Sequence, residues 1–266
     1  MSKQLVKDEA GFTLVELAIV LVIIGLIIGG VLVGQDLIKA AEIRSTISQI
    51  ERYNASVNAF RDKYRYIPGD IPAAAALNFG FVTRNGAVGR GDGNTLLEGS
   101  AAAATLLSGE TALFWRDLYD AQLIENNFTA ATDAAATCAN PSVCKTFMPD
   151  AKMGRGNFVT VYSQTGKNFF HIIGISSVAA GTYTVRLAMS PQEAFNIDAK
   201  IDDSLPLTGG VRAYDVIGTI DAAAAPGAGI CVTDGSGTNT VADTYNTGDG
   251  EAFANTPACG LRIRMN

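Results

Sequence analysis

Residues 12–34 read FTLVELAIVLVIIGLIIGGVLVG, and Glu16 is the one charged side chain among them. At a rise of ~1.5 Å per residue, a helix over this stretch would reach about 34 Å, enough to cross the hydrocarbon core of a bilayer. No other stretch of the 266 residues is both long and apolar enough to do so. The expectation is a single-pass membrane protein. A secretory signal has a shorter apolar core followed by a small-residue cleavage site. Here that order is reversed: a short polar leader, residues 1–11 (MSKQLVKDEAG), ends in Gly11, and the apolar segment starts directly after it. Lys3 and Lys7 before the segment are matched by Lys39 and Arg44 after it, so flanking charge does not fix the orientation.

Glu16 needs a reason. A lone carboxylate inside a membrane helix costs about 2.5–3.5 kcal/mol on insertion scales, and such residues are functional by default. Near the start of the segment it could simply reach the headgroups. Cleavage after Gly11 offers more, because it would leave a free ammonium on Phe12, four residues away. A carboxylate and an amine at one end of an apolar helix can pair within a chain or between neighbours. Pairing between neighbours offsets burial and sets the axial register of assembling helices.

The run Gly11-Phe12-Thr13-Leu14-Val15-Glu16-Leu17, with its apolar continuation, resembles the cleavage and methylation motif of type IV prepilins and type II secretion pseudopilins. The resemblance is confined to the amino-terminal part of the chain. It implies that a prepilin peptidase cuts after Gly11 and methylates the new amine of Phe12. It implies a cytoplasmic leader, a segment in the bacterial inner membrane, and an extracytoplasmic carboxyl-terminal domain that enters a periplasmic or cell-surface filament. By the same resemblance Glu16 pairs with the amine of an adjacent subunit. The implied partners are the peptidase, other pilin or pseudopilin subunits, the inner membrane, and the assembly platform of a pilus or secretion machine. Many members carry a proline part-way along the mature helix, where this chain has Val33 in a proline-free stretch. Gly29-Gly30 would supply local softness instead, and Gly25-x-x-x-Gly29 and Gly30-x-x-x-Gly34 allow close helix approach.

Beyond Gly34 the pattern turns amphipathic. Ile43, Ile47, Ile50, Asn54, Val57, Phe60 and Tyr64 recur at steps of three or four, with Arg44, Glu51, Arg52 and Arg61 between them. One helix is expected over 12–63, membrane-spanning at 12–34, ended by Pro68-Gly69-Asp70 and Pro72, with a globular domain over 64–266. The fold class is α+β and pilin-like: a long amino-terminal helix packed by its amphipathic half on an antiparallel β-sheet with short helices.

Within the domain, residues 73–107 are rich in Ala and Gly and read as loop. Gly91-Asp92-Gly93-Asn94 lacks the acidic positions and closing Glu of an EF-hand and reads as a turn. Ser108 is expected to cap a helix reaching Ile124, with Trp115 in the core. Phe158–Tyr162 and Phe169–Ile175 read as a hairpin around Thr165-Gly166, with His171 a structural residue on its second strand. Tyr183–Ala188 and Val211–Ile220 read as further strands. Ser190-Pro191-Gln192-Glu193 is a capping box with proline at the first helical position, opening a helix to Asp202. Asp198, Asp202 and Asp203 crowd its end, against the helix dipole. Calcium could neutralise them, although an exposed acidic face needs no cofactor, and none is expected.

Four cysteines and one histidine lack zinc-site spacing. Outside the cytoplasm they read as two disulfides, Cys138–Cys144 and Cys231–Cys259, among three possible connectivities. A net charge of -6 and a pI near 4.8, with no basic run, argue against nucleic acid as a partner. No nucleophile–base pair, phosphate-cradling loop or metal-ligand cluster stands out, so a structural filament subunit is expected rather than an enzyme. The chain's size and the long segment between Cys231 and Cys259 leave an alternative open. That alternative is a minor or tip subunit acting as a membrane-anchored adhesin or substrate-binding protein.

Overall fold

The computed structural model describes residues 13–100, 107–186, 188–215, 231–233, 244–248 and 257–266. It divides into two compact units, Met1–Ala41 and Glu42–Asn266. Helix α1 runs from Leu14 to Tyr64. In the first unit its large apolar side chains are open to the surroundings, from 45% exposed at Ile24 to 85% at Leu14. An 18-residue window reaches a mean hydropathy of 3.0, and among the described residues this is the one helix long and apolar enough to cross a membrane.

In the second unit α1 is amphipathic. Ile43, Ile50, Val57 and Phe60 lie on one stripe and are buried. Tyr53 stands edge-on to Trp115 at 4.8 Å, and Trp115 in turn meets Phe114 at 4.8 Å and Phe170 at 6.3 Å. Helix α3 (Glu110–Asp120) thus joins α1 to the sheet through one aromatic cluster. Gln49 adds a polar lock: its side-chain amide donates to the Asp150 carbonyl and accepts from the Lys152 N–H, both at 2.9 Å.

The sheet is antiparallel throughout, in the order β1 (Asn157–Gln164), β2 (Lys167–Ala179), β7 (Cys259–Arg264), β4 (Val211–Asp215). The short β3 (Thr182–Val185) pairs with the far part of β2. Gln164 faces Lys167 across the two-residue turn Thr165-Gly166, whose φ values of 50° and 72° are those of a type I′ hairpin. A separate ribbon pairs β5 (Val232–Thr233) with β6 (Thr244–Tyr245). Helix α5 (Pro191–Ile201) opens on the expected capping box: the Ser190 hydroxyl accepts from the Glu193 N–H, and the Glu193 carboxylate accepts from the Ser190 N–H. The arrangement is α+β and pilin-like, a long amino-terminal helix followed by an antiparallel sheet with short helices.

Several expectations need correction. Residues 73–79, read as loop, form helix α2 (Ala73–Phe79), because alanine has the best helix propensity and Gly80 closes the helix in the left-handed conformation. Ser108 does not cap α3; Gly109 holds that position, and the Ser108 hydroxyl accepts from the Ser100 N–H. The helix stops at Asp120 rather than Ile124, with Gln122 turned to a φ of 60°. The third strand ends at Val185, short of Ala188. The described part of the fourth ends at Asp215, and residues 216–220 lie outside the described residues. Helix α4 (Pro141–Cys144) and the sheet's β7 were not anticipated.

Candidate functional site

Thr13 is the residue from which α1 departs. Its carbonyl accepts the Leu17 N–H at 3.2 Å, the first bond of the helix. Its hydroxyl accepts the Glu16 N–H at 3.3 Å, while Glu16 Oε2 accepts the Thr13 N–H at 2.8 Å and the Thr13 hydroxyl at 2.7 Å. This is a reciprocal capping box, with the acid near the positive end of the helix dipole. The Thr-x-x-Glu signal at 13–16 stood in the sequence and was not read as a cap. Two local bonds hold the carboxylate of Glu16 at the very start of the apolar segment, which eases its transfer out of water. Gly11 and Phe12 lie outside the described residues.

Along the same helix Gly25, Gly29, Gly30 and Gly34 have nothing within 4 Å of where a Cβ would stand, so they keep shallow places on an apolar surface. The cysteines sit in the second unit, where Cys138 is bonded to Cys144 and Cys231 to Cys259. The second disulfide bonds the residue just before β5 to the first residue of β7. His171 is 3% exposed and its Nδ1 shares a 3.3 Å hydrogen bond with the Thr160 hydroxyl. Burial, helped by the Arg262 charge, pushes it down to about 3, so the imidazole stays neutral. Trp115 is fully buried in the core.

Two acidic groups emerge. The turn at Gly91-Asp92-Gly93-Asn94 brings Asp92 beside Asp70 and Glu110, residues far apart in the chain, with carboxylate oxygens within 4.8 Å of one another. Asp70 accepts from the Gly93 and Thr95 N–H groups at 2.7 and 2.6 Å; Glu110 accepts from Gly91 and Glu98 at 2.8 and 3.0 Å. Every oxygen of these two carboxylates therefore holds the 91–98 segment by its backbone. Burial pushes Glu110 up to about 8 and Asp70 up to about 6, against the pull of those N–H donors. Asp198, Asp202 and Asp203 form the second group, at the end of α5.

No curated protein and no solved structure matches the chain. Residues 6–32 match the family described as the prokaryotic N-terminal methylation motif. That segment includes the Thr13–Glu16 cap and most of the apolar stretch of α1. The chain thus carries the prepilin-type cleavage and methylation signature of type IV pilins and pseudopilins.

Proposed function

We propose that the chain is the precursor of a structural subunit of a type IV pilus or of a type II secretion-like pseudopilus, and not an enzyme. A prepilin peptidase removes residues 1–11 and methylates Phe12, and the subunit is drawn from the inner membrane into the filament by its apolar helix. The observation that carries this reading is the matched motif at residues 6–32 running without a break into an apolar helix capped by Thr13 and Glu16. In the precursor Glu16 is satisfied by its own Thr13. After cleavage the amine of Phe12 becomes a stronger partner for a carboxylate, and an adjacent subunit's Glu16 can take it up. That exchange sets the axial stagger between helices, since a charge pair in an apolar surrounding tolerates no slippage.

Glu16→Ala tests this in cells that make the filament. Membrane insertion is expected to remain, because an apolar helix inserts more readily without its acid. Recovery in the sheared-filament fraction is expected to fall at least tenfold. Recovery at the parent's level would mean that Glu16 has no part in assembly.

A further inference from the structure

The acceptor pattern for an N-linked sugar, Asn-x-Ser/Thr without proline between, occurs twice, at Asn54-Ala55-Ser56 and Asn127-Phe128-Thr129. A third stretch, Asn140-Pro141-Ser142, is spoiled by its proline. The fold separates the two that remain. Asn54 is half-buried inside helix α1, and its Oδ1 accepts the Asn266 N–H at 3.2 Å. An enzyme would have to unwind α1 to reach it. Asn127 is exposed, in the stretch of turns and bends after α3 that belongs to neither helix nor strand. The loop there presents its acceptor. Phe128 is fully buried with its ring 6.2 Å from Trp115, and Arg116 of α3 donates to the Thr129 carbonyl at 2.5 Å. Asn127 and Thr129, on either side of that anchor, stand in solvent. Asn127 Oδ1 accepts the Thr129 N–H at 3.0 Å, which closes an Asx-turn. The bond occupies the carbonyl end of the amide, and Nδ2 has no acceptor among the described residues. Glu125, two positions before Asn127, is exposed and has no ion-pair partner among the described residues. One short loop thus offers a carboxylate, an amide nitrogen and a hydroxyl in sequence. At the other pattern, the place two before Asn54 is held by Arg52.

We propose that Asn127 is a site of N-linked glycosylation, with Glu125 and Thr129 as the side chains by which an oligosaccharyltransferase holds the segment. The donor is an oligosaccharide joined through pyrophosphate to a lipid. Asn127 Nδ2 forms a bond to the anomeric carbon of the first sugar. The bond from that carbon to the pyrophosphate oxygen breaks, and its electron pair leaves with the lipid pyrophosphate. One Nδ2 proton passes to a base of the transferase. Glu125 gives the enzyme a charge to grip on one side of the nitrogen, and the Thr129 hydroxyl gives it a polar group on the other. Drawing the loop into the enzyme breaks the Asx-turn and the Arg116 contact and leaves α3 intact. Such sites belong on surface loops of chains that leave the cytoplasm. The proposal rests on the filament reading in that one respect, since the carboxyl-terminal domain must cross the membrane to meet the donor.

The test is mass spectrometry of the tryptic peptide from Asp117 to Lys145, taken from the full chain in cells that make the filament. The amino-terminal peptide is read from the same digest. An oligosaccharide mass on Asn127 is expected, in protein that begins at Phe12. Asn127→Gln and Thr129→Val should abolish it, Thr129→Ser should keep it, and Glu125→Gln should lower its occupancy severalfold. All four changes are on the exposed face of the loop, so Trp115 fluorescence should match the parent's. A sugar that survives Asn127→Gln sits on a hydroxyl and overturns the proposal, as does one found on Asn54. Unchanged occupancy in Glu125→Gln overturns the role given to that carboxylate. A bare Asn127 in protein that begins at Phe12 overturns the site and leaves the filament reading standing. A bare Asn127 with Met1 intact overturns both.

Discussion

At the scale of single residues the chain treats its ionisable groups in apolar surroundings in two ways. Glu16 is bonded to Thr13, whereas buried His171 gives its charge up. The folded chain holds His171 neutral down to about 3, while the unfolded chain takes up the proton near the ordinary imidazole value of 6.5. Between those values the unfolded state binds more protons, so this residue's contribution to stability is present above pH 6.5 and is lost as pH falls toward 3. Between pH 7 and pH 4 the loss is on the order of 2–3 kcal/mol. Urea unfolding followed by Trp115 fluorescence should therefore show the stability gap between the parent and His171→Gln shrinking as pH falls. A gap that stays constant with pH would contradict a neutral buried imidazole. Glu16 could be singled out from the sequence because it is one charge in an apolar run. Its partner Thr13 was equally legible, in the Thr-x-x-Glu spacing of a capping box. Asp70 and Glu110 could not be joined in advance, because they are 40 positions apart and only the tertiary fold brings them together.

At the scale of elements, the segment after α2 is fastened to α3 by a buried ion pair that also holds Gly69 in the loop after α1. Arg84 makes two bonds to Asp117, at 2.9 and 2.8 Å, with both side chains 0% exposed. The same Asp117 accepts the Gly69 N–H at 2.7 Å, and Arg84 donates to the Gly69 carbonyl at 3.1 Å. Removing one member leaves the other buried and uncompensated, so Arg84→Ala should destabilise the domain by about 3–5 kcal/mol. Arg84→Met combined with Asp117→Leu should recover much of that loss, because neither charge then needs burying. A double variant no more stable than Arg84→Ala would show that the bonds to Gly69, rather than charge, hold the loop. The elements read correctly from sequence are those with local signals: the Thr165-Gly166 turn and the Ser190–Glu193 capping box. The sheet's β7 was missed although Leu261 and Ile263 are buried and alternate with the more open Arg262 and Arg264. A Gly-, Thr- and Asn-rich neighbourhood masked that short period-two pattern. Helix α2 was missed because four alanines offer propensity without an apolar stripe.

At the scale of the whole molecule, two kinds of chemistry share one helix. The first unit exposes an apolar surface that water would not tolerate. The second buries its own apolar stripe in a core with aromatic contacts, polar locks and two disulfides. Hydropathy alone marks the apolar stretch of α1, and helical spacing marks the buried stripe that follows it. The strand order of the second unit was not legible in this way, because β7 arrives from the far end of the chain to pair with β2 and β4. The motif matched at residues 6–32 overlaps the apolar part of that helix, and on the proposed reading it marks a leader to be removed before the helix is used. Mass spectrometry of the amino-terminal peptide, from membranes and from sheared filaments, tests this most directly. A peptide that begins at N-methylated Phe12 is the predicted result. An intact Met1, or a terminus beyond Gly34, would contradict it and leave an anchored or secreted domain in its place.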